Sequence, residues 1–541
     1  MKTVVAGALG ECVHVAGISN FLRLAEMAGW RTVFLGPAVP VDRFIRAIEE
    51  EKADLVGVSY RLTPETGERL LGEFAEAASE LHENGVRFVF GGTPPISQRA
   101  QVMGGFFERT FDGSQPADEV LAFLRGESGT VDKPESYPGD VISRIQWKQP
   151  FPLLRHHFGL PTLEASLDGV AKIAEARALD VISLGIDQDA QENFFHPERQ
   201  NPRAKGAGGV PVRSAQDYRD LFAASRRGNF PLMRTYSGTD DFIRLAEMYT
   251  ETIHNAWCAI PLFWFNQMDG RGPIPLEESI HEHQQVMAWY GSRGIPVELN
   301  EPHHWGMRDA SDVVYTAAGY LSALNAKHMG VRDYIAQMMF NSPAGLSDAM
   351  DLAKMLAILE LTAPLEDETF HVWRQTRTGL LSYPLDEDAA RAHLAASIYV
   401  QMALKPHIVH IVGHTEADHA ATAEDVIAAS RMARQAIENA LRGQPDMTAD
   451  PAILRRRDHL VAQTKITLQA MCNLGDGTAA DLTNPTVLGY AVREGILDAP
   501  QLKNNRFAPG RVHTRIMNGA CESVDGNGHV LSEQQRLQKY L

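Results

Sequence analysis

Short apolar runs of strand length alternate with amphipathic stretches of helix length through most of this chain, and that alternation admits few architectures. From Lys2 to about Gly126 the succession is TVVAGAL, ISNFLRLAEMAG, TVFLG, VDRFIRAIEEEK, DLVGVSY, GERLLGEFAEAASELHENG and RFVFGG. Strands joined by helices pair in parallel, so residues 1–126 predict an α/β, doubly wound domain whose ligand crevice lies beyond the carboxyl ends of its strands. The stretch GESGTVDKPESYPGD is rich in Gly, Pro, Ser and charge and lacks periodicity, which places a linker over 127–150.

The alternation resumes after it and continues over 151–445, a length that suits eight βα units closed into a (β/α)8 TIM-type barrel. The strand candidates are DVISLGID, PLMRTYS, AIPLFWFN, IPVELNEP, YIAQMMFN, FHVWRQ and HIVHIVGH. An eighth is expected either near Trp147 to Phe151 or in the Gly-rich region 205–213. Residues 446–541 carry Gly, Asn and Pro clusters (NLGDGTAADLTNP, NNRFAPGRVHTRIMNGAC) and read as a small C-terminal extension of the barrel domain.

Charge and cysteine usage narrow the partners. A formal net charge of -17 works against a phosphate-binding surface, so nucleic acid is not an expected partner. Cys12, Cys258, Cys472 and Cys521 are too scattered for a disulfide framework or a paired-cysteine metal site, which fits a reducing compartment. The N-terminal apolar run is too short for a secretory signal, and no segment approaches the ~20 apolar residues that span a bilayer. A cytoplasmic protein with no membrane partner is expected.

Three features fall at the ends of the first, third and fourth strands, where a doubly wound sheet gathers its ligand contacts. His14 lies three residues before Gly17 in the loop after the first strand, Ser59 follows the third, and Gly91 and Gly92 follow the fourth. A neutral imidazole there is suited to hold a metal, and glycine permits close approach of a bulky ring.

This set resembles the cobalamin-binding domain of adenosylcobalamin-dependent mutases and methionine synthases, marked by Asp-x-His-x-x-Gly, Ser-x-Leu and Gly-Gly. The resemblance implies a flavodoxin-like domain in which His14 is the lower axial ligand of cobalt. The displaced nucleotide tail would then run beside Ser59, Gly91 and Gly92. The sequence departs twice, with Cys12 at the position of the Asp that bonds the His and Arg61 at the position of the Leu. Losing that carboxylate should alter the cobalt's electronics or pass its role to Glu11.

From about His156 onward the chain resembles the large, barrel-forming subunit of glutamate mutase, as though both mutase subunits were fused. The blocks that carry this are DVISLGID, MRTYSGTDDFIRLAE, IPLEESI, the strand end at Glu301 and Pro302, HTEADHAATAEDV and LGYAVREGILDAP. The resemblance implies an adenosylcobalamin-dependent carbon-skeleton mutase, a homodimer, acting on a small carboxylic or amino acid. Three arginines grip the substrate carboxylates in that family. Only Arg234 has a counterpart here, the other two positions falling at about His157 and Gln191, which argues against glutamate and towards a substrate with one carboxylate, or with a polar group in place of the second, bound by Arg234 with Gln191 and His157.

Glu416 corresponds to a glutamate near the adenosyl ribose, while the lysine paired with it is replaced by Val412. In PLFWFNQMDGRGP, Asn266, Gln267 and Asp269 are candidates for polar substrate groups, and Phe263, Trp264 and Phe265 read as barrel core. Glu301 ends a strand and is a candidate to contact an amino group or the cofactor. Two other readings stay open. One is a corrinoid-dependent methyltransferase, against which the scattered cysteines offer no zinc-thiolate site, and the other is a non-catalytic cobalamin carrier or sensor.

Overall fold

The computed structural model describes residues 2–126 and 137–541, and the chain divides into two units, the second spanning Tyr137–Leu541. In the first unit five strands, β1 (Thr3–Leu9), β2 (Arg31–Val39), β3 (Leu55–Tyr60), β4 (Arg87–Gly92) and β5 (Arg109–Phe111), pair in parallel in the order β2-β1-β3-β4-β5. Val4, Val5, Leu55, Val56, Phe88 and Val89 are buried on the central strands, as a sheet covered on both faces requires. β5 was hidden because its three residues, RTF, carry no hydrophobic pattern. Ser59, Gly91 and Gly92 lie within the last turns of β3 and β4 rather than after them.

The second unit is a nearly closed parallel barrel. Its strands are β6 (Leu153–Phe158), β7 (Val181–Leu184), β8 (Leu232–Arg234), β9 (Cys258–Ile260), β10 (Val297–Leu299), β11 (Asp333–Phe340), β12 (His371–Thr378) and β13 (Ile408–Ile411). The ladder runs β8-β7-β6-β13-β12-β11-β10-β9, and the seam between β8 and β9 is stitched by Ala256 N–H to the Met233 carbonyl (2.9 Å) and Ser237 N–H to the Ala259 carbonyl (3.2 Å). The eighth strand is therefore β6. Trp147 lies in a helix just before it, and residues 205–213 contribute only one isolated bridge, at Val210.

That helix, Val141–Lys148, closes the bottom of the barrel. Asp140 caps it by accepting the Ser143 N–H (2.9 Å), and Val141 and Ile145 pack with Leu153, Val181, Leu232, Trp257, Ile335 and Ile408. Arg144 donates to the carbonyls of Asn229 and Phe230, and Lys148 pairs with Asp180. Of the linker placed at 127–150, residues 127–136 lie outside the described residues. Residues 137–150 belong to the barrel unit, because this helix buries its apolar face there.

The C-terminal extension packs on the barrel's outer helices. The helix Pro451–Cys472 lies against Asp312–His328 and Asp348–Thr362, and Arg456 binds Asp312 (2.9 Å) and Glu522 (2.5 Å). The strands β14 (His513–Met517) and β15 (Ala520–Val524) form a hairpin whose turn, Asn518-Gly519, has positive φ at both residues, the conformation that a two-residue turn favours. Among the described residues no helix is long and apolar enough to cross a membrane.

Candidate functional site

Parallel pairing brings the N-terminal features together at one edge of the sheet. Ala8 pairs with Ser59 and Ser59 with Gly91, so the carboxyl ends of β1, β3 and β4 are neighbours. Leu9 ends β1, and the loop that follows is pinned by the Cys12 N–H to the Leu9 carbonyl (3.2 Å) and by the Ala38 N–H to the Cys12 carbonyl (2.9 Å). Cys12 is buried, while His14 and Gly17 are exposed.

The Cys12 Sγ lies 4.0 Å from His14 Nδ1, which leaves Nε2 as the nitrogen available for ligation. Glu11 is exposed and makes no hydrogen bond to His14 among the described residues, so the neighbour of the imidazole is the thiol. Arg61 is exposed in the turn after β3.

The glycines divide into two kinds. A Cβ at Gly17 or Gly91 would meet nothing within 4 Å, whereas one at Gly92 would lie 2.7 Å from Phe90, 2.8 Å from Ile96 and 2.8 Å from the Tyr60 carbonyl oxygen. Gly17 and Gly91 thus face open space, and the His14 imidazole is exposed, which leaves room for a bulky group at this edge of the sheet. Gly92 is small because the protein packs against it.

The barrel's site is built differently. Alternate residues of each strand face inward, and above the apolar floor the inward layer is polar. Arg155 on β6 donates from Nη1 to Glu298 on β10 (2.8 Å) and Gln375 on β12 (2.9 Å), and its Nη2 lies 3.1 Å from His157 Nε2. The Trp257 indole also donates to Glu298 (2.6 Å), and Arg234 Nη2 lies 3.6 Å from the same carboxylate. Tyr236 stacks on His157 with ring centroids 5.2 Å apart and its hydroxyl 3.0 Å from Nε2, while Arg234 sits over the Tyr236 ring. His410 on β13 approaches His157 at 4.9 Å and is paired in register with both Arg377 and Arg155.

Charge in this layer is uneven. Burial alone would raise Glu298, but Arg155 and Arg234 hold it below the usual carboxylate range. Burial, together with Arg234 and Arg377, presses Arg155 down to about 9, which still leaves it charged at neutral pH. Burial and the same arginines hold His157 and His410 well below the usual histidine range, so both are neutral. Arg155 Nε, Arg234 Nε and Nη1, and Arg377 Nε are buried without a hydrogen-bond partner among the described residues.

Of the residues that the sequence singles out in the barrel, Arg234 and His157 join this cluster. Glu416 lies at the rim, exposed overall, its carboxyl raised by partial desolvation against the pull of Arg377. Gln191, on the short helix Gln188–Glu192 after β7, makes no side-chain hydrogen bond to the cluster. Asn266 donates to the Phe263 carbonyl and Ser279 and accepts the Met268 N–H. Asp269 accepts the N–H groups of Phe265 and Asn266, so both side chains are turned into their own loop rather than toward a ligand.

Glu301 is fully buried, accepts the N–H groups of Leu262 (2.6 Å) and Phe263 (3.0 Å) and the Trp305 indole (2.8 Å), and anchors the loop after β9. Phe263, Trp264 and Phe265 are core. Arg155, Tyr236, Glu298, Arg377 and His410 went unnoticed in the sequence. For Arg155 and Arg377 the signal is polar residues two apart within a strand, Arg155 with His157 and Gln375 with Arg377, which marks a polar inward face. With three arginines present, the reason given above for a substrate with a single carboxylate no longer holds.

A model of the B12 binding domain matches residues 2–116. The glutamate mutase sigma subunit 2 of Haloarcula marismortui is 26% identical over 144 residues, 25% of this chain and 94% of that protein. The dimethylamine corrinoid protein 1 of Methanosarcina acetivorans is 29% identical over 125 residues, 23% of this chain and 58% of that protein. A novel cobalamin-binding protein from Desulfitobacterium hafniense DCB-2, known from its crystal structure, is 25% identical over 23% of this chain and 58% of its own, with a TM-score of 0.20, too low to bear on the fold.

Proposed function

We propose that this chain is an adenosylcobalamin-dependent carbon-skeleton mutase of the glutamate mutase type, acting on a small carboxylic or amino acid. The observation that carries the reading is the trio of buried arginines inside the barrel of a chain whose N-terminal unit is a B12-binding domain similar to a glutamate mutase sigma subunit. His14 would ligate cobalt through Nε2, and Gly17, Ser59 and Gly91 would leave room for the cofactor's ring and tail. When bound, adenosylcobalamin supplies an organic radical by cobalt–carbon homolysis.

The chain's own residues do the rest. Arg234 and its neighbours hold the acid by bidentate, charge-assisted bonds, the neutral His157 and the Tyr236 hydroxyl orient it, and the apolar floor excludes water from below. Glu416 at the rim is placed to accept hydroxyl donors.

The test is anaerobic incubation with adenosylcobalamin and a panel of small acids, followed by electron paramagnetic resonance. A substrate-dependent, cobalt-coupled organic radical is expected, and its absence with every acid turns the reading down. Similarity to a dimethylamine corrinoid protein favours a second reading, corrinoid-dependent methyl transfer. Methylation of added cobalamin by a methyl donor, with no radical, is the outcome that selects it.

A further inference from the structure

One histidine of the barrel has its proton placed by a chain of hydrogen bonds that can run in only one direction. Arg155 donates from Nη1 to the Gln375 side chain (2.9 Å), and a guanidinium has no lone pair to offer, so the atom it meets is the amide oxygen. The Gln375 nitrogen is then turned to Gln337 and donates to its oxygen (3.3 Å), and the Gln337 nitrogen in turn lies 2.9 Å from Nδ1 of His303. Nδ1 therefore accepts and carries no proton, which leaves the proton on Nε2. His303 stands on the short helix Glu301–Gly306 after β10 and is buried, as are the three residues that fix it. Burial first, then His304 and the guanidiniums of Arg377, Arg271 and Arg308, hold it well below the usual histidine range, in agreement with a ring that accepts at Nδ1.

The Nε2–H of His303 has no hydrogen-bond partner among the described residues. Beside it, the His304 ring lies 4.3 Å away and is 2% exposed, and neither of its nitrogens has a partner among the described residues. Buried polar groups are paired as a rule, so a fixed donor and an adjacent open imidazole mark a place kept for a ligand. We infer that His303 binds, through its Nε2–H, an uncharged oxygen of the barrel's ligand, the carbonyl of an oxo acid or the hydroxyl of a hydroxy acid. The inference deepens the proposed function and rests on its reading of the barrel as the acid-binding unit. An ammonium there would meet an N–H donor and the like charges of three guanidiniums. The carboxylates that could balance it are already engaged, Glu298 by Arg155 and Trp257, Glu301 by three N–H donors, and Glu416 at the rim by the charge of Arg377. A ligand carboxylate is bonded better by a charged guanidinium fork, so the uncharged donor is left for an oxygen without charge.

The experiment takes two readings on the full chain at neutral pH. Nuclear magnetic resonance of the chain labelled in histidine with the heavy nitrogen isotope, with His303 identified by the signals lost in His303→Phe, should show a proton on Nε2 and none on Nδ1. Isothermal titration calorimetry with pyruvate, L-lactate, L-alanine and propionate should show pyruvate or lactate binding at least about ten-fold more tightly than alanine and propionate, the effect of one further hydrogen bond. The tighter of the two names the oxygen as carbonyl or hydroxyl. In His303→Phe that advantage should vanish, while continued binding of propionate, which has no such oxygen, shows that the fold is intact. A proton on Nδ1, alanine or propionate binding as tightly as the other two, an advantage that survives in His303→Phe, or the failure of every acid to bind overturns the inference. Preference for pyruvate or lactate without a radical from any acid upholds the role of His303 and turns down the mutase reading. A radical from an amino acid that binds better than either does the reverse.

Discussion

On the proposed reading, the two units would prepare for their ligands by opposite means. The N-terminal site is made of an exposed imidazole and glycines that face open space, with little of its own to hold in place. The barrel site is made of fully buried charges that depend on one another, with Glu298 shared by Arg155, Arg234 and Trp257. A large planar group needs room, and a single ligating nitrogen can remain solvated until it is used. A small acid is held by charge alone, so the charge must be desolvated beforehand, and the fold must carry that cost in the empty state.

The comparison breaks most visibly if its two centres are removed in turn. Glu298→Ala strips the carboxylate from two guanidiniums, Arg155 and Arg234, and should destabilise the barrel unit by about 3–5 kcal/mol, read from urea denaturation. His14→Ala should change stability by less than about 0.5 kcal/mol while abolishing the nitrogen splitting of bound cob(II)alamin in its resonance spectrum. Equal stability losses in the two variants would erase the distinction.

A pH profile sharpens it next. Burial raises Glu301 to about 7, against the pull of the Phe263 and Leu262 N–H groups. The folded state then binds this proton more tightly than the unfolded chain does. Stability from this group is therefore lost as pH rises from the ordinary carboxyl range towards 7, by up to roughly 3 kcal/mol, and is level above that. Glu301→Gln should remove that fall, so its stability relative to the parent rises over the same window before levelling. A difference that does not change with pH would mean that Glu301 is ionised throughout.

The adjacent glycines provide a smaller test within one strand. Gly92→Ala pushes a methyl into Phe90, Ile96 and the Tyr60 carbonyl and should cost about 1–3 kcal/mol. Gly91→Ala should cost less than about 0.5 kcal/mol, and Gly91→Leu should leave folding intact while weakening cobalamin binding at least about ten-fold. Normal binding by Gly91→Leu would show that nothing bulky lies over that strand end.

The same contrast explains what could be read from the residues alone. The meeting of Ser59 and Gly91 with the end of β1 was legible because these residues fall at the ends of strands that show plain apolar runs, and parallel pairing brings such ends together whatever the intervening helices are. The barrel's inward face was not. β6 reads LLRHHF, and its charged and polar residues broke the pattern that reveals the other strands, because they belong to the polar layer inside the barrel. Arg155 and Glu298 are 143 residues apart, and only closure of the barrel makes them neighbours. The loop Phe263–Asp269 misled in the other direction, since polar side chains beside a strand end look available for a ligand until their bonds to their own backbone are seen.

The smallest effect concerns how far the N-terminal site is prepared at all. Cys12 stands 4.0 Å from His14 Nδ1, at the outer limit for sulfur, and a thiol is a weak acceptor. The imidazole is thus oriented less firmly than a carboxylate would hold it. Cys12→Asp places a stronger acceptor beside Nδ1, which should make Nε2 the better donor to cobalt. The expected result is a larger nitrogen splitting in bound cob(II)alamin and a gain in affinity of no more than about ten-fold, with the stability of the domain unchanged. The buried site at the end of β1 is the condition on that last point: Cys12 is fully enclosed, so a carboxylate that cannot reach the imidazole would be an unpaired buried charge. A loss of stability with no change in splitting would therefore mean that the loop fixes His14 by its backbone bonds at Leu9 and Ala38, and that the thiol contributes only packing.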